Sequence, residues 1–230
     1  MTERIPPRYD YHPADQFADA IRARLRPEID ILDVGSGRRP AIPRAARPAG
    51  CRYVGLDISA AELARASAGS YSETVVADVS AALPELTGRF DLLVSWQVLE
   101  HVANLEHALA NMHSYLRPGG ALVAVLSGRL SLFGVVNRLV PGPLATWTLR
   151  TLLGRDPETV YTAYYDRCDH RGLTELLASW RIARVTPIYQ GGAYFNFSKP
   201  IRAAYLSYEN WAVNSGRANL ATHYLVVAER

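Results

Sequence analysis

Hydrophobic and polar positions follow two alternating regimes along this chain. Short runs of apolar and β-branched residues fall at Ile29–Val34, Arg52–Leu56, Thr74–Ala77, Phe90–Ser95, Ala121–Leu126, Ile182–Ile188 and Thr222–Ala228. Runs of this kind, with little polar alternation, predict strands covered on both faces. Between them apolar residues recur at helical spacing. Phe17, Ile21 and Leu25 share a face in Pro13–Leu25, and shorter helical patterns lie near Ala60–Ala68, Leu105–Leu116 and Arg171–Trp180. Ser198–Ser215 sets Ile201, Ala204, Tyr205, Tyr208, Trp211 and Ala212 on one face and stops at Gly216. Leu105–Leu116 runs into Arg117-Pro118-Gly119-Gly120, a proline and paired glycines that end a helix. This alternation predicts an α/β fold, a doubly wound and mostly parallel sheet of seven strands. Residues 1–230 read as a single domain, since no internal repeat, low-complexity tract or shift in composition marks a second one.

Two segments depart from the rhythm. Residues 127–165 are too long for a plain connection. They are rich in large apolar residues (Leu132, Phe133, Val136, Leu139, Leu144, Trp147 and Leu153 among them), and Pro141-Gly142-Pro143 divides them into two expected short helices. Three readings of this helical insertion after the fifth strand stay open. It is a lid over a hydrophobic acceptor at the carboxyl ends of the strands, a face for peripheral contact with a membrane holding a lipid-linked substrate, or a homodimer contact. Residues 1–27 form a helix-bearing amino-terminal segment whose Tyr9, Tyr11 and His12 offer a second cover for the same cleft.

Composition narrows the class. Over 230 residues, 49% hydrophobic and 20% charged content is that of an ordinary globular domain with its own core. The net charge is only +3, and Lys199 is the only lysine. Prolines interrupt the early cluster Arg38, Arg39, Arg44, Arg47 and Arg52, and no aromatic platform lies among them, so a solvated surface is expected and no nucleic-acid partner. Cys51 and Cys168 lie far apart without metal-ligand spacing, which predicts neither a disulfide framework nor a zinc site and makes a reducing cytoplasm the default location. No apolar stretch reaches the roughly 20 residues of a spanning helix, and Met1–Asp10 has no apolar signal core. His101, His107 and His113 recur at a spacing that turns each to a different side of a helix, so no metal is expected.

The chemistry gathers at the strand ends. Ile31-Leu32-Asp33-Val34-Gly35-Ser36-Gly37 is a strand running into two closely spaced glycines, and Tyr53-Val54-Gly55-Leu56-Asp57 is a second strand ending in a carboxylate. Glycine allows close backbone approach to a ligand, and a carboxylate at the second strand end accepts both ribose hydroxyls: these are the parts of a nucleotide pocket. Three further segments follow in order. They are Ala77-Asp78-Val79, the stretch from Phe90-Asp91 to Leu99-Glu100-His101-Val102, and Leu116-Arg117-Pro118-Gly119-Gly120. Together the five segments resemble the motifs of the class I S-adenosylmethionine-dependent methyltransferases, in particular the small-molecule, ubiquinone- and menaquinone-methyltransferase-like branch. The resemblance covers about residues 28–127. It implies a Rossmann-like sheet with S-adenosylmethionine as cofactor. Gly35 and Gly37 approach its methionine part and Asp33 helps to hold that part. Asp57 takes the ribose hydroxyls and Asp78 the adenine amino group, while Ile58 and Val79 sandwich the ring. Ser95, Trp96 and Gln97 stand beyond the fourth strand, where the family transfers the methyl group; Ser95 counts there with the cofactor-binding residues, and Trp96 and Gln97 are catalytic candidates. Asp33 and Asp78 are also open to a second reading, as caps of their strand ends.

Several positions depart from the pattern or limit it. Many members of the family carry a third glycine where this chain has Arg39, and Arg38 and Pro40 make the turn bulkier still. A nicotinamide fingerprint fails at Pro40, where its third glycine should stand, so an oxidoreductase is the weaker reading. The chain lacks the Asn/Asp-Pro-Pro-Tyr signature of enzymes that methylate planar amide or exocyclic amino nitrogens. His101 is a candidate base, although Leu-Glu-His-Val also recurs in the family as framework. Phe133 and Trp147 of the insertion are candidate acceptor contacts. Tyr164, Tyr165 and His170 either line the acceptor site or cap the next helix. The expected activity is methyl transfer to a small-molecule, glycan or lipid-like acceptor, at oxygen. A methyltransferase fold that has lost transfer and acts as a scaffold is the alternative from another class.

Overall fold

Seven segments rich in apolar and β-branched residues pair into one sheet in the computed structural model, which describes residues 5–131, Val135 and residues 162–230. The strands are β1 (Asp30–Val34), β2 (Arg52–Asp57), β3 (Glu73–Val76), β4 (Phe90–Trp96), β5 (Leu116–Ser127), β6 (Ile182–Ile188) and β7 (His223–Glu229). The described helices are α1 (Pro13–Arg22), α2 (Ala60–Ala64), α3 (Leu105–Tyr115), α4 (His170–Leu176) and α5 (Lys199–Asn214). The strand order is β3-β2-β1-β4-β5-β7-β6. The first five strands run parallel, and β7 runs antiparallel to both β5 and β6. The order reverses between β1 and β4, so the crevice that ligands use in such sheets opens at their carboxyl ends.

The central strands bury both faces, with successive residues turned to opposite sides. Leu32, Val34, Val54, Leu93 and Ala124 face Leu105, Leu109 and Met112 of α3 and Leu173 of α4. Ile31, Tyr53, Leu92, Val94 and Val123 face Phe17 and Ile21 of α1. Three helix starts, those of α2, α3 and α4, are capped by short polar side chains. Ser59 accepts from the Glu62 amide, Asn104 from the His107 amide and Asp169 from the Gly172 amide.

The Arg117-Pro118-Gly119-Gly120 stop signal does more than end α3. Leu116 already pairs with Phe90, and the ladder resumes with Ala121 opposite Leu92, so these four residues form a bulge inside β5. Gly119 has φ +80°, a conformation that favours glycine. Arg117 spans the bulge and pairs with Asp30 at 2.7 Å and Asp91 at 2.9 Å.

The turn after β1 is held from the buried side. Asp33 is 1% exposed. Its Oδ2 accepts from the Tyr53 hydroxyl at 2.6 Å and from the Ala41 amide at 2.8 Å. The same hydroxyl accepts from the Ile42 amide at 3.0 Å. The Arg47 guanidinium lies 3.5 Å from the centre of the Tyr53 ring and donates to the carbonyls of Ile42 and Ser70. The bulky Arg39-Pro40 stretch is therefore fixed at both ends without a third glycine. Burial pushes the Asp33 carboxyl up to about 6 despite its two donors.

The amino-terminal segment does not cover the crevice with Tyr9, Tyr11 and His12, since none of them lines the cavity there. A short turn at Pro7–Asp10 is instead strapped to α5 and the loop before it. Glu209 on α5, 1% exposed, accepts from the Arg8 guanidinium at 2.8 Å and the Tyr9 hydroxyl at 2.6 Å through Oε2, and from the Gly191 amide at 2.8 Å through Oε1. The Gly192 amide donates to the Tyr9 hydroxyl at 2.8 Å.

Tyr9→Phe leaves the Gly192 amide without its acceptor and removes one donor from Glu209. It should lower stability by about 1–2 kcal/mol in urea denaturation. Tyr53→Phe removes a donor from Asp33 and an acceptor from the buried Ile42 amide, with an expected loss of about 2 kcal/mol. The second loss carries a pH signature. The folded chain holds the Asp33 proton more tightly than the unfolded chain, so the stability tied to this group is greatest below about pH 4 and falls as pH rises through 6. With one donor gone the folded carboxyl keeps its proton to higher pH, so the fall should continue past 6 and the deficit of Tyr53→Phe should grow as pH rises through and above that value.

Candidate active site

At the carboxyl end of β1 the backbone enters the left-handed region at Gly35 (φ +72°) and again at Gly37 (φ +46°). The amides of Gly35 and Ser36 both donate to the Leu56 carbonyl, at 2.7 and 3.2 Å, which draws the turn onto β2. A Cβ on Gly35 would stand 2.3 Å from the Val98 side chain, so only glycine lets this turn pass. Tyr71 secures the other side by donating to the carbonyls of Ser36 and Gly37. At the end of β2, Asp57 accepts from the Gly37 amide through Oδ2 and from the Ser59 amide through Oδ1, each at 2.8 Å.

A cavity of about 810 Å³ opens at these strand ends, within the range of small-molecule sites. Of the residues singled out from the sequence, it brings together Gly35, Gly37, Asp57, Ile58, Asp78, Val79, Trp96, Gln97, His101, Tyr164 and Tyr165. Ile58 is 65% exposed while Val79 is 6% exposed. Asp78 caps its own turn, accepting from the amide and the hydroxyl of Ser80 at 2.8 Å each. Gln97 is held at φ +54°, an uncommon conformation for a residue with a side chain. Its amide donates to the Val125 carbonyl at 2.7 Å, so β5 sets the direction in which the chain leaves β4.

Other expected residues stand elsewhere. Ser95 is fully buried, and its hydroxyl donates to the Val34 carbonyl at 3.1 Å; it ties β4 to β1 and does not line the cavity. Asp33 faces a smaller cavity of about 390 Å³ between α1 and the glycine turn. That space shares Gly35, Arg39 and Trp96 with the larger one, and the Phe17 ring packs 5.1 Å from Trp96. His170 opens α4 with its ring 6.5 Å from that of Tyr224 and lies off the cavity. Phe133, Trp147 and most of the 127–165 insertion lie outside the described residues.

The cavity also holds Glu100, which the sequence pattern reads only as part of the Leu-Glu-His-Val framework, and Tyr194, to which it assigns no role. Glu100, on the short turn Leu99–His101, is 3% exposed. Its Oε1 accepts from the Ser127 amide at 3.2 Å, whereas Oε2 has no hydrogen-bond partner among the described residues. Burial pushes its carboxyl above the usual range. The signal was an acid inside the apolar run Val98-Leu99-Glu100-His101-Val102. Tyr194 comes from the turn at Gly192–Phe195, which the amino-terminal strap holds, and no local pattern announces it. Next to Glu100, the Nδ1 of His101 lies 3.1 Å from the Thr162 carbonyl, which can only accept, so Nδ1 carries the proton. The Tyr165 amide donates to the Glu100 carbonyl at 3.0 Å. These two bonds fasten the 162–165 segment to the turn after β4.

The donor set fits an adenosyl cofactor. Each Asp57 oxygen has one protein donor, and a carboxylate offers about four acceptor sites, so two remain for a pair of ribose hydroxyls. Ile58 and Val79 offer apolar contact for a planar base, and the glycine turn brings bare backbone to the cavity.

Comparison with known proteins agrees with this geometry. A family model described as a methyltransferase domain matches residues 8–185. The malonyl-[acyl-carrier protein] O-methyltransferase of Enterobacter lignolyticus is 35% identical over 123 residues, covering 52% of this chain and 49% of that protein. The match thus spans about half the length of that relative. The trans-aconitate 2-methyltransferase of Deinococcus radiodurans is 29% identical over 200 residues, covering 80% of this chain and 74% of that protein. Among solved structures, phosphoethanolamine N-methyltransferase 2 of Haemonchus contortus, in complex with S-adenosyl-L-methionine, shares the fold. It aligns with a TM-score of 0.57 at 12% identity, over 94% of this chain and 52% of that one. Strand order, glycine turn and family match together place the chain among the class I S-adenosylmethionine-dependent methyltransferases.

Proposed function

We propose that this methyltransferase acts on a small-molecule, glycan or lipid-like acceptor and methylates it at oxygen. One observation carries the reading: a single cavity joins the cofactor-type residues Gly35, Gly37, Asp57 and Asp78 to a polar, aromatic group made of Trp96, Gln97, His101, Tyr164, Tyr165 and Tyr194. Its volume suits a cofactor beside a modest acceptor, not a folded macromolecular chain. Of the relatives above, one is named an O-methyltransferase of malonyl-[acyl-carrier protein] and the other a 2-methyltransferase of trans-aconitate.

The cofactor, when bound, supplies an electrophilic methyl group. The chain then has to hold two reactants in line in a dry site. In this reading Asp57 and the glycine turn fix the adenosyl end. Trp96, backed by Phe17, excludes water from the end of β4, and the left-handed Gln97 directs the backbone round the reacting centre. His101, with its tautomer set by Thr162, orients the segment that carries Tyr164 and Tyr165. Cys51 and Cys168 are both free thiols, which suits a reducing cytoplasm. No described helix is long and apolar enough to cross a membrane. For a lipid-like acceptor met by peripheral contact, Phe197, Ile201 and Trp211 around α5 are exposed.

Two measurements test the proposal. Calorimetric titration with S-adenosylhomocysteine should show micromolar binding that Asp57→Asn weakens by roughly 10- to 100-fold, the loss of one or two charge-assisted hydrogen bonds. In a cell extract supplied with S-adenosylmethionine labelled at the methyl group, label should enter the ultrafiltrate or the organic phase. Label confined to protein or nucleic acid would contradict a small-molecule acceptor.

A further inference from the structure

We infer that Glu100 receives a proton from the acceptor, and that the methylated atom therefore arrives as a hydroxyl or amine and not as a carboxylate. This rests on the methyl-transfer reading and adds to it the chemical class of the nucleophile.

The geometry is that of a half-satisfied acid in the wall of the reaction cavity. One carboxyl oxygen is held by the Ser127 amide, which fixes the side chain against the end of β5. The other has no partner among the described residues, although the side chain is almost wholly buried. Leaving a buried carboxylate oxygen unpaired is costly, so a group that supplies a donor during the reaction would explain why it stands there. The titratable groups around it are His101 on the same turn and Tyr165 and Cys168 from the 162–169 segment. Burial and the nearby Glu100 push the Cys168 thiol up, so it stays neutral at physiological pH.

Two kinds of acceptor differ sharply at such a position. A carboxylate nucleophile brings no proton and sets a second negative charge against a buried acid. A hydroxyl or amine brings the donor that Oε2 lacks. In the step that follows, the acceptor lone pair forms the new bond to the methyl carbon. The carbon–sulfur bond breaks, with its electron pair going to sulfur. The acceptor proton passes to Oε2, leaving neutral Glu100, a methyl ether or methylamine, and S-adenosylhomocysteine. A carboxyl already raised by burial is better matched to that proton than an ordinary exposed acid.

The test compares the wild-type chain with Glu100→Gln and Glu100→Asp, using methyl-tritiated S-adenosylmethionine and a small-molecule and lipid extract. Mild alkali frees methanol from methyl esters only, and hot hydriodic acid frees methyl iodide from methyl ethers. We expect alkali-stable label, a loss of at least about 100-fold in Glu100→Gln, partial recovery in Glu100→Asp, and unchanged affinity for S-adenosylhomocysteine. Label released by alkali as methanol, or full activity in Glu100→Gln, would overturn the inference. The ester outcome would leave oxygen methylation standing, whereas an N-methyl product would overturn oxygen methylation and leave the role of Glu100 intact. Stability gives a readout that does not depend on turnover. The folded chain holds the Glu100 proton longer than the unfolded chain, so this carboxyl costs stability as pH rises through its raised value. Glu100→Gln should therefore raise the melting temperature at neutral pH and lose that advantage below about pH 4. A lower melting temperature at both pH values would mark Glu100 as framework and contradict the inference.

Discussion

The buried hydrogen bond from Tyr53 to Asp33 is the constraint on which the site depends. It joins the end of β1 to the start of β2 from beneath, and Asp33 and the Tyr53 hydroxyl also take the amides of Ala41 and Ile42. The glycine turn thus hangs between two fixed points, the strand that enters it and the Ala41-Ile42 pair that leaves it. An unpaired acid at this depth would cost several kcal/mol. With two donors and the Arg47 guanidinium stacked on Tyr53, it becomes the anchor of the loop. This arrangement explains how a turn containing Arg38, Arg39 and Pro40 keeps its shape. The work that a third glycine performs elsewhere, allowing the turn to lie close to its surroundings, is replaced by anchoring at both ends.

A second anchor works at long range. Glu209 gathers Arg8, Tyr9 and the Gly191 amide, and so joins the start of the chain to the loop that carries Tyr194 into the cavity. The half of the cavity lined by Gly35, Gly37, Asp57 and Asp78 is built from neighbouring strand ends, and its geometry follows from sheet register. The opposite half is assembled from three separate stretches, the turn after β4, residues 162–165 and Tyr194. Each is held by a few directed hydrogen bonds and not by regular pairing.

How much of this could be read from residues alone follows the same division. The strands and helices were legible because apolar runs and helical faces are local properties, and β6 falls at Ile182–Ile188 as its pattern predicts. The start of β5 was not, because Pro118 and the paired glycines carry the signs of a stop, and only pairing with Phe90 turns them into a bulge. At the site, the glycine turn and Asp57 were legible since strand, turn and strand are contiguous units. Ser95 was assigned to the cofactor by position in a motif, but its buried hydroxyl is spent on the Val34 carbonyl. Asp33 accepts from the Ala41 amide and the Tyr53 hydroxyl, with its carboxyl on the α1 side of the turn, contacts that no motif spells out. Glu100 and Tyr194 depend on contacts with Ser127 and with the amino-terminal strap, and no spacing within the chain encodes such meetings.

The most direct measurement is a two-dimensional NMR titration of the isotopically labelled chain with S-adenosylhomocysteine, read at the backbone amides. If the larger cavity is the cofactor site, the strongest shifts will fall at Gly35, Gly37, Ile58, Val79 and Gln97, with little change along α1 or at Ile42. Shifts centred on α1 and Ile42, or none at saturating ligand, would contradict the assignment of that cavity to S-adenosylmethionine.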